Sequence, residues 1–166
     1  MIEKLARYLE ENNVTYTIIY HSTRFTTQEI AAGAAIPGLY IVKSVMIRMD
    51  GELAMVVLPA SSMARYELLK PPLGADHIEP AKRRDFMDLF PECEIGAIPP
   101  FGNLAGIRVY ADVDLARHRE IAFSGGDFSE LVRIRFDDYE RLVDPVLVDV
   151  SGLEKRTGKS VERSGV

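Results

Sequence analysis

The chain has one cysteine, Cys93, no tryptophan and three histidines among 166 residues. One thiol excludes an internal disulfide and fits a reducing compartment. No Cys/His cluster has zinc-ligand spacing, so no metal is expected. Long apolar runs are missing as well: the longest, such as Leu53 to Ala60, fall far short of the roughly 20 residues that span a bilayer. The opening MIEKLARYLEENN carries acidic residues and no apolar h-region, unlike a signal peptide. These absences lead us to expect a soluble, cytoplasmic chain with no membrane partner. Excess positive charge is also lacking. Lys and Arg number 20 against 25 Asp and Glu, a formal net charge of −5, so the surface is not built to coat DNA or RNA. A small site can oppose the global charge, which leaves room for a local basic pocket. Finally, there is no G-x-S-x-G elbow, Walker A loop, GxGxxG turn or H-E-x-x-H helix, which disfavours triad, phosphate-loop and metal hydrolases.

What is present reads as one α+β domain over residues 1–150 with a polar, glycine-containing tail over 151–166 that is expected to fray. Apolar residues make up 47% and charged residues 27%, enough of the former for a sizeable core. Ile2, Leu5, Ala6 and Leu9 recur at helical spacing and predict an amphipathic helix ending near Asn12-Asn13. TYTIIY at 15–20 alternates as a strand, and Thr26 with Glu29 forms a capping box for a short helix that Pro37-Gly38 follows. The runs at 39–49 and 52–59 flank Asp50-Gly51, a two-residue hairpin signal. Both runs are apolar on both faces, as in strands of a covered sheet. A helix is expected at 62–70 with a loop at 71–74. Pro80 is expected to open a helix over 80–90 that buries Phe86 and Leu89. Strands follow at 106–112, 120–123 and 131–136, with Val132, Ile134 and Phe136 on one face. Asp137 and Glu140 are positioned to cap a last helix. Hairpins with interspersed helices indicate α+β and not a βαβ series.

Lys43 is the oddity. On the pleat it shares a face with Ile41, Val45 and Ile47, and a cation there must pair, snorkel to an edge, or look into a cavity. At a pocket floor its ammonium would serve a carbonyl or phosphate oxygen; at a strand end it would only reach solvent. The loop Gly96-Ala97-Ile98-Pro99-Pro100 offers a second feature. Gly96 permits unusual backbone angles, and the prolines stiffen the exit. The N–H groups of Gly96, Ala97 and Ile98 can then aim at one point as an oxyanion cradle, or the segment is a rigid turn. Gly125-Gly126 allows close approach to a ligand, or simply turns the chain. Tyr20 and His21 end a strand that could border a pocket. Cys93 has no base near it in sequence and reads as a structural thiol. Lys82-Arg83-Arg84 could meet RNA phosphates or be a solvated helix face.

In order along the chain, IVKSVMI, AMVVLPAS, FPECEIGAIPPFGN, FSGG, LVRIRF and DDYERL resemble the YbaK-type aminoacyl-tRNA deacylases, a family that includes the editing domain inserted in bacterial prolyl-tRNA synthetases. The resemblance covers roughly residues 14–150. It implies a mixed, partly barrel-like β-sheet flanked by short helices, and hydrolysis of the ester of mischarged tRNA. The implied substrate is a tRNA acceptor 3′ end, with an aminoacyl-tRNA synthetase as a further partner and no cofactor. By position, Lys43 matches the essential lysine, Gly96 to Pro100 the substrate loop, Gly125 and Gly126 the glycine turn, and Tyr20 a pocket-edge tyrosine. Ser44 stands where some members carry Asn or Thr, and the acidic residue that follows the glycine turn in some members falls near Leu131; both departures bear on amino-acid specificity. The alternative is a module of the same fold that binds tRNA or a synthetase without turnover.

Overall fold

The computed structural model describes residues 1–20 and 40–150. His21, the Thr26–Glu29 capping box, Pro37-Gly38 and the tail lie outside them. Helix α1 spans Glu3–Glu11 and buries Leu5 and Leu9, two residues one helical turn apart. After strand β1 (Thr17–Tyr20) come β2 (Val42–Met49) and β3 (Glu52–Pro59), joined by Asp50-Gly51. Both turn residues have positive φ, 50° and 86°, as a type I′ hairpin requires. Helix α2 (Tyr66–Leu73), β4 (Ile78–Pro80), α3 (Arg83–Phe86), β5 (Arg108–Asp112), β6 (Glu120–Ser124), β7 (Glu130–Arg135), α4 (Phe136–Val143) and β8 (Val146–Val148) follow.

The strands form a five-stranded sheet of order β4-β2-β3-β5-β8 and a three-stranded sheet of order β1-β7-β6. Pairing is antiparallel from β4 to β3 and throughout the smaller sheet, and parallel from β3 through β5 to β8. Among the described residues the sheets meet at one parallel bridge, Ile41 to Ala122, where the Ala122 N–H donates to the Tyr40 carbonyl at 2.9 Å. The mixed α+β class expected from sequence is therefore what is seen. The barrel-like closure is partial: among the described residues the strands remain in two sheets.

Between the sheets lies the main core. Val42 and Met46 of β2, Met55 and Val57 of β3, and Phe123, Val132, Ile134 and Phe136 from the smaller sheet and its exit pack with Leu5, Leu9, Phe101 and Tyr139. On the other face of the larger sheet, Leu69 and Leu73 of α2 cover Ile47, Ala54, Val56 and Leu58.

Four local expectations fail, each for a tertiary reason. Pro80 ends strand β4 opposite Ile47 and opens no helix; α3 begins at Arg83. Leu89, expected inside, is 42% exposed, because a 3-10 turn at Met87–Leu89 rotates it off the Phe86 face. Helix α2 runs on through Pro71 and Pro72, since burying Leu69 and Leu73 on the sheet outweighs two lost N–H donors; Gly74 then caps it in the left-handed region. Asp137 does not cap α4. The helix starts one residue earlier, and the Phe136 N–H is satisfied by the Arg119 carbonyl at 2.9 Å.

Candidate functional site

Counting back from the two-residue turn places Lys43 opposite Leu58, and that is its partner in the sheet. Its side chain is half-buried on the pleat shared with Val45 and Ile47, and the ammonium donates to the Ser62 carbonyl just beyond the end of β3. That carbonyl fixes the direction of the ammonium. Lys43 is also two residues past the Ile41–Ala122 bridge. Because that bridge is parallel, Ser124 lies two residues further along β6, and Gly125-Gly126 come next. The lysine and the glycine turn thus stand at the same end of the seam between the sheets. The seam itself is lined by small and branched apolar side chains, Ile41, Ala60, Ala122 and Leu131. Ser44 points the other way, and its buried hydroxyl has no hydrogen-bond partner among the described residues.

The glycine–proline loop is tied to that same turn. The Glu94 N–H donates to the Gly126 carbonyl at 2.8 Å, and Gly126 lies against Cys93 and Ile2. Gly96 has φ of 85°, and the Phe128 ring sits where a side chain would begin. At the exit, the buried Tyr139 hydroxyl donates to the Pro100 carbonyl at 3.0 Å. Burial pushes the Tyr139 phenol far above its ordinary value, so it stays a donor at any physiological pH. Ala97, Ile98, Pro99 and Pro100 are all buried. One expectation needs correcting here: the Ala97 N–H is taken by the Glu94 carbonyl at 3.0 Å, so it does not join a three-amide cradle. Among the described residues no hydrogen bond engages the Gly96 or Ile98 N–H.

One predicted residue is not brought in. Tyr20 is 76% exposed and sits on the pleat opposite Ile19, whose side chain packs at the seam. His21 lies outside the described residues. Cys93 is buried beside the loop, and burial, then the Glu92 charge, push its thiol up to about 11, as expected for a structural residue and not a nucleophile. A cavity of about 670 Å³ between α1 and residues 88–93 is lined by Cys93 and Pro99 but not by Lys43.

Sequence reasoning missed Ser62, which orients Lys43, and Glu130, a buried carboxylate paired with the Met1 amino group next to Gly125. It also missed Tyr40. This phenol stacks on His118 at 3.6 Å and donates to Asp114, and burial, then the Asp114 charge, hold it well above its ordinary value. None had a local signal, because each partner is distant in sequence. Among the described residues no group of His, Cys, Asp and Glu is arranged to hold a metal. Nor, among them, is any helix long and apolar enough to cross a membrane.

A split mixed sheet thus carries a lysine at its seam and, at the same end, a glycine turn to which a stiffened glycine–proline loop is tied. The chain belongs to the aminoacyl-tRNA editing domain family, which it matches over residues 21–142. Its fold is similar to that of a hypothetical protein designated APE2540 (20% identity, TM-score 0.72, covering 89% of this chain and 99% of that one). It is equally similar to a candidate trans-editing enzyme for prolyl-tRNA synthetase (21% identity, TM-score 0.71, covering 89% and 94%). A candidate signal-transduction protein from Marinobacter aquaeolei VT8 shares the fold over 90% of this chain but only 30% of its own (16% identity, TM-score 0.68). No curated protein matches the chain.

Proposed function

We propose that the chain is a trans-acting, cytoplasmic aminoacyl-tRNA deacylase that hydrolyses the ester of mischarged tRNA. The observation that carries this reading is the common location of Lys43 and the glycine turn at one end of the sheet seam, with the Gly96–Pro100 loop tied to that turn through Glu94 and Gly126. The Lys43 amine and the loop amides are all donors. An acceptor lying between them, such as an ester carbonyl, is what would join them.

An aminoacyl ester is already activated, so its hydrolysis needs positioning and charge stabilisation more than a strong nucleophile. In this reading Lys43 anchors the carbonyl or the terminal adenosine, and the Gly96 and Ile98 amides receive the negative charge that develops when water attacks. The ribose oxygen leaves and takes a proton. No residue here is assigned as the base; water or a substrate hydroxyl or amine completes the proton transfer. Ile41, Ala60, Ala122 and Leu131 would bound the pocket by size, as a sieve for small side chains. The fold shared with the candidate trans-editing enzyme supports action in trans.

A second reading, a module that binds tRNA or a synthetase without turnover, is favoured by two bonds: Lys43 to the Ser62 carbonyl and the Ala97 N–H to Glu94. Both engage groups that a catalytic site would use. The deciding experiment offers purified protein a panel of tRNAs mischarged with Ala, Ser, Cys, Thr or Pro and follows release of amino acid. Release from at least one, reduced on the order of 100-fold or more by Lys43→Ala, is expected for removal of a charge-stabilising group. A panel that survives undiminished while tRNA still binds would transfer the assignment to the binding module.

A further inference from the structure

Resting on the editing reading above, we infer that the exposed triplet Lys82-Arg83-Arg84 docks the phosphodiester backbone of the single-stranded 3′ end whose last residue reaches Lys43. Three observations support this surface. The first is charge held in no ion pair, Arg84 having only a minor electrostatic pull from Asp85. Many cations elsewhere are neutralised by acids: Arg7 by Glu3, Lys70 by Glu67, Arg117 by Asp114, Arg135 by Asp137 and Arg141 by Asp138. Among the described residues none of the three triplet side chains is in an ion pair. Asp85, the acid that follows them, is already occupied: its carboxylate accepts from the Arg48 guanidinium at 2.9 Å and from the Lys82 N–H at 2.7 Å. Of the flanking acids, Glu79 leans toward His77 and Asp88 lines the cavity beside α1.

The second is shape. Lys82, Arg83, Arg84 and Met87 border one shallow, open surface depression, so the three side chains stand side by side on one surface. The third is position. Strand β4 runs antiparallel to β2 from Met49 back to Ile47, and the Ala81 N–H then donates to the Met46 carbonyl at 3.0 Å. The triplet therefore begins beside the same strand that carries Lys43, about 10 Å of strand rise away. Two guanidinium forks and an ammonium suit successive phosphates, and a cationic groove is how single strands are tracked. A local patch of this kind is compatible with a chain of net charge −5.

The test is equilibrium binding of a fluorescent, uncharged tRNA acceptor minihelix with its 3′ single strand, measured over a range of salt. The variant Lys82→Gln/Arg83→Gln/Arg84→Gln changes only exposed side chains. It is expected to bind about tenfold or more weakly, with a log–log salt slope shallower by about 2, as loss of three single-strand phosphate contacts requires. The control Arg135→Gln/Arg141→Gln removes similar charge elsewhere and leaves both quantities unchanged. Equal affinity and slope for triplet variant and wild type would overturn the inference, as would an equal loss in the control. Loss of synthetase binding with RNA binding intact would also overturn it. If the triplet variant loses RNA affinity but the wild type deacylates nothing, the dock stands and the catalytic reading fails.

Discussion

At the scale of single residues, the fold depends on glycines for different reasons, and stability measurements can separate them. Gly126 has φ of 119°, and a side chain there would begin 2.4 Å from Cγ2 of Ile2, a branched atom with little room to move. Gly126→Ala combines left-handed strain with overpacking and is expected to lose on the order of 3 kcal/mol. Gly51 also has positive φ, 86°, yet nothing lies within 4 Å of an added side chain, so Gly51→Ala should lose only about 1 kcal/mol. Urea titrations of the two variants check the difference. Equal losses would mean that Ile2 does not pack on the glycine turn. Lys43 shows the complementary limit of sequence. Its strand, its face and its partner Leu58 follow from alternation and the hairpin turn. Its hold on Ser62 does not, because Ser62 lies beyond the paired part of β3 and no pattern announces a carbonyl. Ala97 repeats the lesson: the stiff loop was visible, but the internal turn that uses its N–H was not.

At the scale of elements, α3 is held to the sheet by the Arg48–Asp85 ion pair, which occupies the acid that follows the cationic triplet. The Arg48 hydrogen bonds, then the Lys82 N–H, lower Asp85 from its ordinary 3.8 to about 2. Its folded-state value lies below its unfolded one, so the stabilisation is fully present above 3.8 and is lost as pH falls toward 2. Asp85→Asn should therefore lower the urea midpoint at neutral pH, and the gap to wild type should close between pH 4 and pH 2. A gap that persists unchanged at the acid end would show that the carboxylate charge is not what holds α3. Elements with strong local signals were legible: α1 from its apolar stripe, the β2–β3 hairpin from Asp50-Gly51, and β7 from Val132 and Ile134. Those that departed were set by distant partners. Pro80 was drawn into a strand by Ile47, and the prolines of α2 were kept helical by Leu69 and Leu73 on the sheet.

At the scale of the whole molecule, the partition into two sheets had no sequence signature, since it rests on which strands meet after the chain has turned several times. Ile41 and Ala122, 81 positions apart, make the only backbone bridge recorded between the sheets among the described residues. One bridge would be a weak hinge if each sheet had its own core. The main core, however, is shared: Val42, Met46, Met55 and Val57 from one sheet pack with Phe123, Val132 and Ile134 from the other, around Phe101. Phe101 is 2% exposed and contacts the rings of Tyr8, Phe123 and Tyr139. The two sheets should therefore unfold as one unit, with tyrosine near-ultraviolet and backbone far-ultraviolet dichroism following the same urea curve. Phe101→Ala should shift both curves together by about 3–5 kcal/mol, the usual loss for emptying a large aromatic site. Separate transitions, or a shift in one signal alone, would show that the seam divides two independently folding halves. In that case Lys43 and the glycine turn could not be held in fixed register, and the site would lose the rigidity on which its chemistry depends.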